Sequence, residues 1–145
     1  MNVKSQDQDG RELVAKSCRM VGGLELTKAT TGHVSQRSAA GKHVLIRARG
    51  PDEVGVRYTT ADEVITVDLD GKKVGGPDGL SVPQEVYIHT GLYKARPEVN
   101  SVIHIHPPRV VIFTICEKEF LPLYGAYDPS SVYLLLEGIP TYGRS

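Results

Sequence analysis

The sequence has little of several features, and each shortage excludes a class of protein. Only two cysteines are present, Cys18 and Cys116, both in apolar surroundings, so no disulfide framework is indicated. Seventeen basic residues balance seventeen acidic ones, which leaves no surplus charge to attract nucleic acid. The apolar runs are too short to cross a bilayer, and the polar N-terminus is unlike a signal peptide. We therefore expect a cytoplasmic protein that binds neither nucleic acid nor membrane.

What remains is the composition of an ordinary globular domain. The 145 residues are 40% apolar and 23% charged, which is enough to build one hydrophobic core. The apolar periodicity predicts both helices and strands after a frayed start of about ten residues. The predicted elements are a helix over Arg11–Met20, strands over His33–Arg37, Lys42–Ala48 and Val64–Leu69, a helix from Ser81 to about Arg96, and a strand over Ser101–His106.

Shorter signals set some element ends and leave others open. Asp70-Gly71 predicts a hairpin turn after the third strand. Ser81 with Gln84 is typical of a capping box that opens the second helix. The run Val110–Cys116 fits a helix or a strand, and Pro129–Leu136 fits a helix or a loop, so both assignments stay open.

The clearest chemical signal is the pair His104 and His106. Residues at i and i+2 of a strand point to the same side, so both imidazoles can bind one ion. Two polar rings on an otherwise apolar strand are costly to bury unless they have partners. Neutral imidazole suits zinc, iron, cobalt, nickel or manganese. We therefore predict a divalent-metal site, against the alternative of two histidines on a half-exposed strand.

Glu85 is the nearest acidic companion of this pair. It lies in the first turn of the predicted second helix, and a strand that packs back on that helix brings it near the histidines. It is therefore a candidate metal ligand, unless it only supplies a favourable charge at a helix N-terminus. His89 follows at i+4 on the same helix face. It either orients Glu85 or packs in the core, and packing is the favoured role.

Four motifs in a fixed order resemble the class II aldolase/adducin family. Each motif is short, but their order and spacing make the match specific. The resemblance covers nearly the whole chain, from about Leu13 onward. The motifs are TGHVSQR at Thr31–Arg37, Glu85 with His89, YKARP at Tyr93–Pro97, and HIHPP at His104–Pro108.

The resemblance implies an α/β fold, a three-layer α/β/α sandwich with a mainly antiparallel central sheet. It implies a divalent metal, commonly zinc with manganese, iron or cobalt as alternatives, held by His104 and His106 with Glu85. In the family, the residue that matches Glu85 serves as metal neighbour and general acid/base. A tyrosine after the histidine motif often assists; Tyr124 and Tyr127 both match, and Tyr127 is taken as the catalytic candidate. Family members are commonly homotetramers with active sites between subunits.

The chain departs from the family pattern toward its C-terminal end. The family's third metal histidine lies in a His-Gly segment near the end of the domain, and none of the five histidines here fits it. We therefore expect residues 1–145 to form a single domain of this type that lacks its C-terminal part. The metal site of the chain as given is then incomplete.

A second departure concerns the substrate. Phosphosugar aldolases of the family bind phosphate through small polar residues at positions that here include His33 and Arg49-Gly50. The arginines Arg47 and Arg49 suit a planar carboxylate, unless they only cover the solvent face of a strand. The resemblance then implies a small-molecule carboxylate substrate bound by Gly32, His33, Arg49 and Gly50.

Together, these features favour a metal-dependent carbon–carbon lyase, a decarboxylase of a hydroxylated aromatic or unsaturated carboxylic acid. The first alternative is a class II aldolase or epimerase that acts on a sugar phosphate, because the same apparatus supports retro-aldol cleavage. The second alternative is a non-catalytic adducin-like interaction module, although the retained histidines favour an enzyme. A cupin-type oxygenase is disfavoured, because no glutamate follows the His-x-His motif within a few residues.

Overall fold

The computed structural model describes residues 3–122, 129–136 and 138–140. The chain forms two compact units, Met1–Pro107 and Pro108–Ser145, and each is described by itself. The expectation that residues 1–145 form a single domain stays a prediction.

The first unit contains two helices and one five-stranded sheet. The helices are α1 (Val3–Gly23) and α2 (Val86–Ala95), and two short 3-10 turns cover Val56–Tyr58 and Ala61–Glu63. The strands are β1 (His33–Arg37), β2 (Val44–Arg47), β3 (Val64–Val67), β4 (Lys73–Gly75) and β5 (Ser101–His104). The sheet order is β4-β3-β2-β1-β5, and each neighbouring pair is antiparallel.

One helix packs on each face of this sheet. On one face, Val14 and Cys18 of α1 pack in a core cluster with Leu45 of β2. On the other face, Ile46 of β2 belongs to a cluster with Tyr93 of α2. Because neighbouring residues of a strand point to opposite faces, β2 contributes to both cores. The predicted three-layer α/β/α arrangement with an antiparallel sheet is thereby confirmed.

The hairpin predicted at Asp70-Gly71 is confirmed. The side-chain oxygen Oδ1 of Asp68 accepts hydrogen bonds from the backbone amides of Asp70 and Lys72, at 3.0 and 2.9 Å. Gly71 has a φ of 81°, a conformation that glycine adopts without a steric penalty. The turn therefore joins β3 to β4 as the sequence indicated.

The predicted start of the second helix is wrong by about five residues. Ser81 does not cap the helix; its backbone pairs with that of Arg49 through two hydrogen bonds of 2.8 and 2.9 Å. This pairing holds Ser81 in an extended conformation, so α2 begins at Val86 and Glu85 becomes its N-cap residue. Glu85 thus lies just before the first turn, at the N-terminal end of α2.

The second unit contains two helices among its described residues, α3 (Pro108–Ile115) and α4 (Pro129–Leu136). Both ambiguous segments are therefore helical. The described residues of α3 and α4 include no buried side chain, and Cys116 is exposed although its neighbours in the sequence are apolar. Among the described residues, no helix combines the length and the apolar composition that a membrane crossing requires.

Candidate active site

Four histidines gather where β1, β5 and α2 meet. His33 opens β1 and pairs in register with His104, the last residue of β5. Their rings stack with centroids 6.0 Å apart, and the ring of His89 on α2 lies 6.1 Å from His33 and 6.4 Å from His104. His106 completes the group, 4.8 Å from His104. The fold thus brings together residues that are up to 73 positions apart in the sequence.

The ring nitrogens of the predicted metal pair converge. The Nε2 atoms of His104 and His106 face each other at 2.7 Å, although His106 lies beyond the end of β5. Two imidazoles whose Nε2 atoms converge can bind one cation after a small separation of the rings. The donor set therefore fits two ligands of a divalent metal. Within the described ranges, no group of three or more His, Cys, Asp or Glu residues is arranged to hold an ion, so the expected third ligand is not supplied there.

Glu85 stands beside this pair, at the N-terminal end of α2. Its Oε2 atom lies 3.9 Å from Nε2 of His33, and its side chain is 43% exposed. At that distance the contact is a long ion pair at most, and only if His33 is protonated. The carboxylate is accessible from solvent, which is what a group that exchanges protons with a reactant requires.

Three buried polar side chains near these residues form a hydrogen-bonded series. The Oγ atom of Ser35 is 2.7 Å from Nδ1 of His89 and 2.9 Å from the hydroxyl of Tyr93. All three side chains are almost completely buried. The guanidinium of Arg37 lies 4.8 Å from the centre of the Tyr93 ring and donates a hydrogen bond to the Tyr93 carbonyl. The orientation of His89 is therefore fixed by contacts that reach to the far end of α2.

Burial keeps the inner histidines neutral. Together with the smaller effect of the nearby Arg47 charge, it lowers the pKa of His33 to about 4. Burial likewise lowers the pKa of His89 to about 4, with His33 and His104 as smaller contributors. The pKa of His104 is also lowered, mainly by burial and then by His106. Neutral imidazoles are the form that binds metals and accepts or donates single hydrogen bonds.

A cavity of about 390 Å³ is bordered by one of these histidines, His33. Its lining includes His33, Glu85 and Arg49. Its other lining residues are Thr31, Ser81, Val82 and Gln84. The predicted acid/base and two predicted substrate-binding residues therefore share one cavity.

The two arginines next to this cavity share one carboxylate. Glu53 forms salt bridges with Arg47 and, at 3.2 Å, with Arg49. Arg47 is fully buried and also donates to Thr59 at 2.9 Å; it is not among the lining residues, so its role is structural. Arg49 keeps 38% of its side chain exposed while it donates to the carbonyl of Thr30 at 2.5 Å. One carboxylate for two guanidiniums leaves one positive charge on this side of the cavity, and Glu85 brings a second carboxylate to its lining.

The remaining predicted site residues are two glycines, which the structure describes, and two tyrosines, which it does not. Gly32 has a φ of 84°, and an added Cβ would lie 3.0 Å from the carbonyl oxygen of His104. A Cβ at Gly50 would lie 2.8 Å from the side chain of Leu80. Both glycines therefore allow close packing, and their contact with a substrate stays a prediction. Tyr124 and Tyr127 lie outside the described residues.

Sequence reasoning missed Ser35 and Tyr93 as parts of this site. Glu85, His89 and Tyr93 follow one another at a spacing of four, which places them on one face of a helix. His33 and Ser35 alternate on one face of β1. These two polar patterns would have indicated a buried contact between α2 and β1.

The model of a protein family matches most of this chain. That family is the class II aldolase and adducin N-terminal domain, and the match extends over residues 12–143. Among solved structures, the fold is similar to that of L-fuculose 1-phosphate aldolase from Glaciozyma antarctica PI12, with a TM-score of 0.69 and 23% identity. That similarity covers 81% of this chain and 47% of the aldolase.

Curated proteins with similar sequences carry different enzyme names. The 3,4-dihydroxyphthalate decarboxylase of Arthrobacter keyseri is 37% identical over 137 residues, which cover 92% of this chain and 55% of the decarboxylase. The 5-methylthioribulose-1-phosphate/5-deoxyribulose-1-phosphate aldolase of Escherichia coli O45:K1 is 34% identical over 66% of this chain and 41% of the aldolase. The chain thus spans about half the length of the curated relatives that it matches.

Proposed function

Since this chain belongs to the class II aldolase and adducin N-terminal domain family, we propose that the intact protein is a metal-dependent carbon–carbon lyase. Its reaction is the decarboxylation of a hydroxylated aromatic carboxylic acid of the dihydroxyphthalate type. The observation that carries the proposal is the cavity that combines Arg49, His33 and Glu85 beside the convergent pair His104 and His106. The similarity to dihydroxyphthalate decarboxylases over 92% of the chain supports it.

The guanidinium of Arg49 favours a carboxylate substrate. Arg49 shares Glu53 with the buried Arg47, so the three groups together carry one positive charge. A guanidinium that keeps donors free can bind a carboxylate through two parallel hydrogen bonds. His33, buried and without a partner at either ring nitrogen among the described residues, adds a further donor to the same wall.

In the proposed reaction, the bond between the ring carbon and the carboxylate carbon breaks. Before it breaks, the ring carbon takes up a proton and the neighbouring hydroxyl loses its own and becomes a carbonyl, and as carbon dioxide leaves the electron pair of the broken bond restores the aromatic ring and passes to that oxygen. Glu85 delivers a proton to the ring carbon and recovers one from water, so that atoms and charge balance. Enzymes of this family are typically metal-dependent, and a divalent ion held by His104 and His106 would supply positive charge for that oxygen. Tyr127 stays an additional candidate for the proton transfer.

The second candidate function is a class II aldolase that acts on a sugar phosphate. The hydroxyl-bearing residues Thr31 and Ser81 line the same cavity, and a sugar-phosphate aldolase is among the similar proteins. However, the Thr31 hydroxyl donates to the carbonyl of Lys28 at 2.6 Å and the Ser81 hydroxyl to that of Arg49 at 3.3 Å. Both donors are therefore already engaged, which favours the carboxylate substrate.

A direct comparison of two substrate classes tests the proposal. The intact, metal-loaded protein is supplied with 3,4-dihydroxyphthalate or with L-fuculose 1-phosphate, and carbon dioxide and aldehyde are measured. We expect carbon dioxide from the first and no cleavage of the second, and Glu85→Gln should reduce the rate by about 100-fold or more. Cleavage of only the sugar phosphate would favour the aldolase. Turnover of neither, by protein that binds metal, would favour a non-catalytic module.

A further inference from the structure

Glu53 is a mostly buried carboxylate that lies between two arginines. Its side chain is 8% exposed, and its Oε1 atom accepts hydrogen bonds from Nη2 of Arg47 and, at 3.2 Å, from Nη1 of Arg49. Both guanidiniums also donate to the carbonyl oxygen of Thr30, Arg47 at 3.2 Å and Arg49 at 2.5 Å. The two cations therefore lie close together and share two acceptors, of which only Glu53 carries a charge.

The two arginines differ in their freedom to move. Arg47 is fully buried, and its Nε atom donates to the hydroxyl of Thr59 at 2.9 Å. The side chain of Arg49 is 38% exposed, and it lines the cavity together with His33 and Glu85. Two like charges at this separation repel each other when no carboxylate lies between them. Because Arg47 is enclosed, the exposed Arg49 is the group that would move away.

The contacts of Arg49 occupy one end of its guanidinium. Nη1 donates to the Thr30 carbonyl and to Glu53, and Nη2 donates to the Thr30 hydroxyl at 3.3 Å. A guanidinium has five N–H donors, so these three contacts leave the Nε hydrogen and one hydrogen of Nη2. Nε and Nη2 form one edge of the group, which matches the two oxygens of a carboxylate. Contacts that hold Nη1 therefore orient the edge that can bind a reactant.

We infer that Glu53 is a positioning residue for substrate binding, which holds Arg49 so that its Nε and Nη2 edge binds a carboxylate of the reactant. The inference rests on the proposed function for the identity of the reactant. Glu53 is not among the residues that line the cavity, so it acts through Arg49 and not by contact with the reactant. This role is additional to compensating the buried charge of Arg47.

The direction of a binding change separates positioning from a simple charge effect. Phthalate, a dicarboxylate without the hydroxyls of the proposed substrate, is titrated into the intact, metal-loaded protein, and its Kd is measured by calorimetry. If Glu53 acted only through its charge, Glu53→Gln would tighten binding, because a negative charge near the cavity is removed. We expect binding to weaken about 5- to 10-fold instead, since Arg49 is released. Unchanged or tighter binding, or no binding to the wild type, would overturn the inference.

A second background tests whether Glu53 acts through Arg49. In Arg49→Met, a further Glu53→Gln substitution should change Kd by less than about twofold, because the group that Glu53 positions is gone. Glu12→Gln, at an exposed position of α1, is the matched control for the loss of one carboxylate and should leave Kd unchanged. Equal weakening by Glu53→Gln in both backgrounds, or by Glu12→Gln in the wild type, would overturn the inference.

Glu53→Gln leaves the buried Arg47 without a counter-charge, so a second variant keeps that charge. Glu53→Asp is one methylene shorter, and we expect it to lose the 3.2 Å contact with Arg49, because Arg47 is enclosed and keeps its place. Phthalate should bind at least about threefold more weakly to this variant, and the weakening should be absent in Arg49→Met. Unchanged binding would overturn the inference.

The same titrations distinguish this inference from the proposed function. Carbon dioxide release from dihydroxyphthalate is measured on the wild type that is used for the phthalate titration. If the wild type releases none, but phthalate binding depends on Glu53 and Arg49 as described, the proposed function fails and the positioning role stands. If carbon dioxide is released and phthalate binding does not depend on Glu53, the proposed function stands and the positioning role fails.

Discussion

The active site has two regions with different physical properties. Its floor consists of His33, Ser35, His89 and Tyr93, which are all buried. Its rim consists of Glu85, His104 and His106, which are all at least partly exposed. Both regions are built from β1, β5 and α2 or the residues that adjoin them.

The difference lies in what each region can exchange with its surroundings. The side chains of the floor are buried and its histidines are neutral. The hydroxyls of Ser35 and Tyr93 are within hydrogen-bond distance of each other. The floor therefore keeps a fixed arrangement and does not change its charge. The rim is accessible to solvent, and its carboxylate and paired imidazoles can take up protons or a cation. We therefore expect changes to the floor to lower stability, with an added effect on activity at the cavity-lining His33, and changes to the rim to lower activity with little effect on stability.

The largest expected effect is a loss of folding stability in acid, which we attribute to the histidines of the floor. His33 and His89 have a pKa of about 4 in the folded protein, against an ordinary value of 6.5. The unfolded chain therefore takes up protons first as the pH falls below 6.5, and stability is lost progressively down to about pH 4. The loss is on the order of 2–3 kcal/mol for each histidine.

Urea unfolding of the metal-free protein at several pH values between 7 and 4 measures this loss. His33→Gln and His89→Gln should each flatten the pH dependence, whereas the control His43→Gln, outside the cluster, should not. An unchanged slope in the double variant of His33 and His89 would show that the floor is not the acid-sensitive region.

Changes to the rim should affect activity without affecting stability. His104→Asn and His106→Asn remove the convergent imidazole nitrogens, and each should lower both metal content and turnover by more than about 100-fold. The free energy of unfolding in chelator should stay within about 0.5 kcal/mol of the wild type for the exposed His106. A loss of stability at His106 equal to that of a floor variant would remove the distinction between the two regions.

The floor can also be weakened at one hydrogen bond. Tyr93→Phe removes the buried hydroxyl that lies 2.9 Å from Ser35, and it should lower the free energy of unfolding by about 1–3 kcal/mol. Tyr87→Phe on the same helix is a matched control, because Tyr87 is 68% exposed and its change should stay within about 0.5 kcal/mol. Denaturant unfolding of the two variants under the same conditions compares their free energies of unfolding. Equal losses in the two variants would show that the buried hydroxyl does not stabilise the floor.

The smallest expected effect concerns the cavity beside the rim. Arg49→Met removes the half-exposed guanidinium and should raise KM for the carboxylate about tenfold with a smaller change in kcat, because it removes ground-state binding. Arg57→Met is a control, since Arg57 lies outside this cavity. Steady-state kinetics of the intact enzyme measures both constants; if KM is unchanged, the carboxylate is not held by Arg49.

Local patterns predicted much of the fold, whereas long-range pairing did not follow from them. The strand over His33–Arg37 and the turn at Asp70-Gly71 depend on neighbouring residues, and both were predicted correctly. The start of α2 was wrong because Ser81 pairs with Arg49, 32 residues away. No local pattern reports such a contact.

The site also has residues that local spacing predicted and residues that depend on long-range contacts. The i, i+2 spacing of His104 and His106 predicted a convergent pair, and the fold confirms that their Nε2 atoms meet. The chain from His89 through Ser35 to Tyr93 depends on contacts across 54 and 58 residues, which require the packing of α2 on β1. The burial of Arg47 likewise depends on Glu53 turning back toward the strand.

Metal dependence of carbon dioxide release tests the central claim most directly. The intact protein is stripped with a chelator, supplied with 3,4-dihydroxyphthalate, and then titrated with zinc or manganese. The account predicts that release stops on stripping, returns with about one equivalent of metal, and does not return in the double variant His104→Asn and His106→Asn. Full release by the stripped protein, or full recovery by that double variant, would contradict the account.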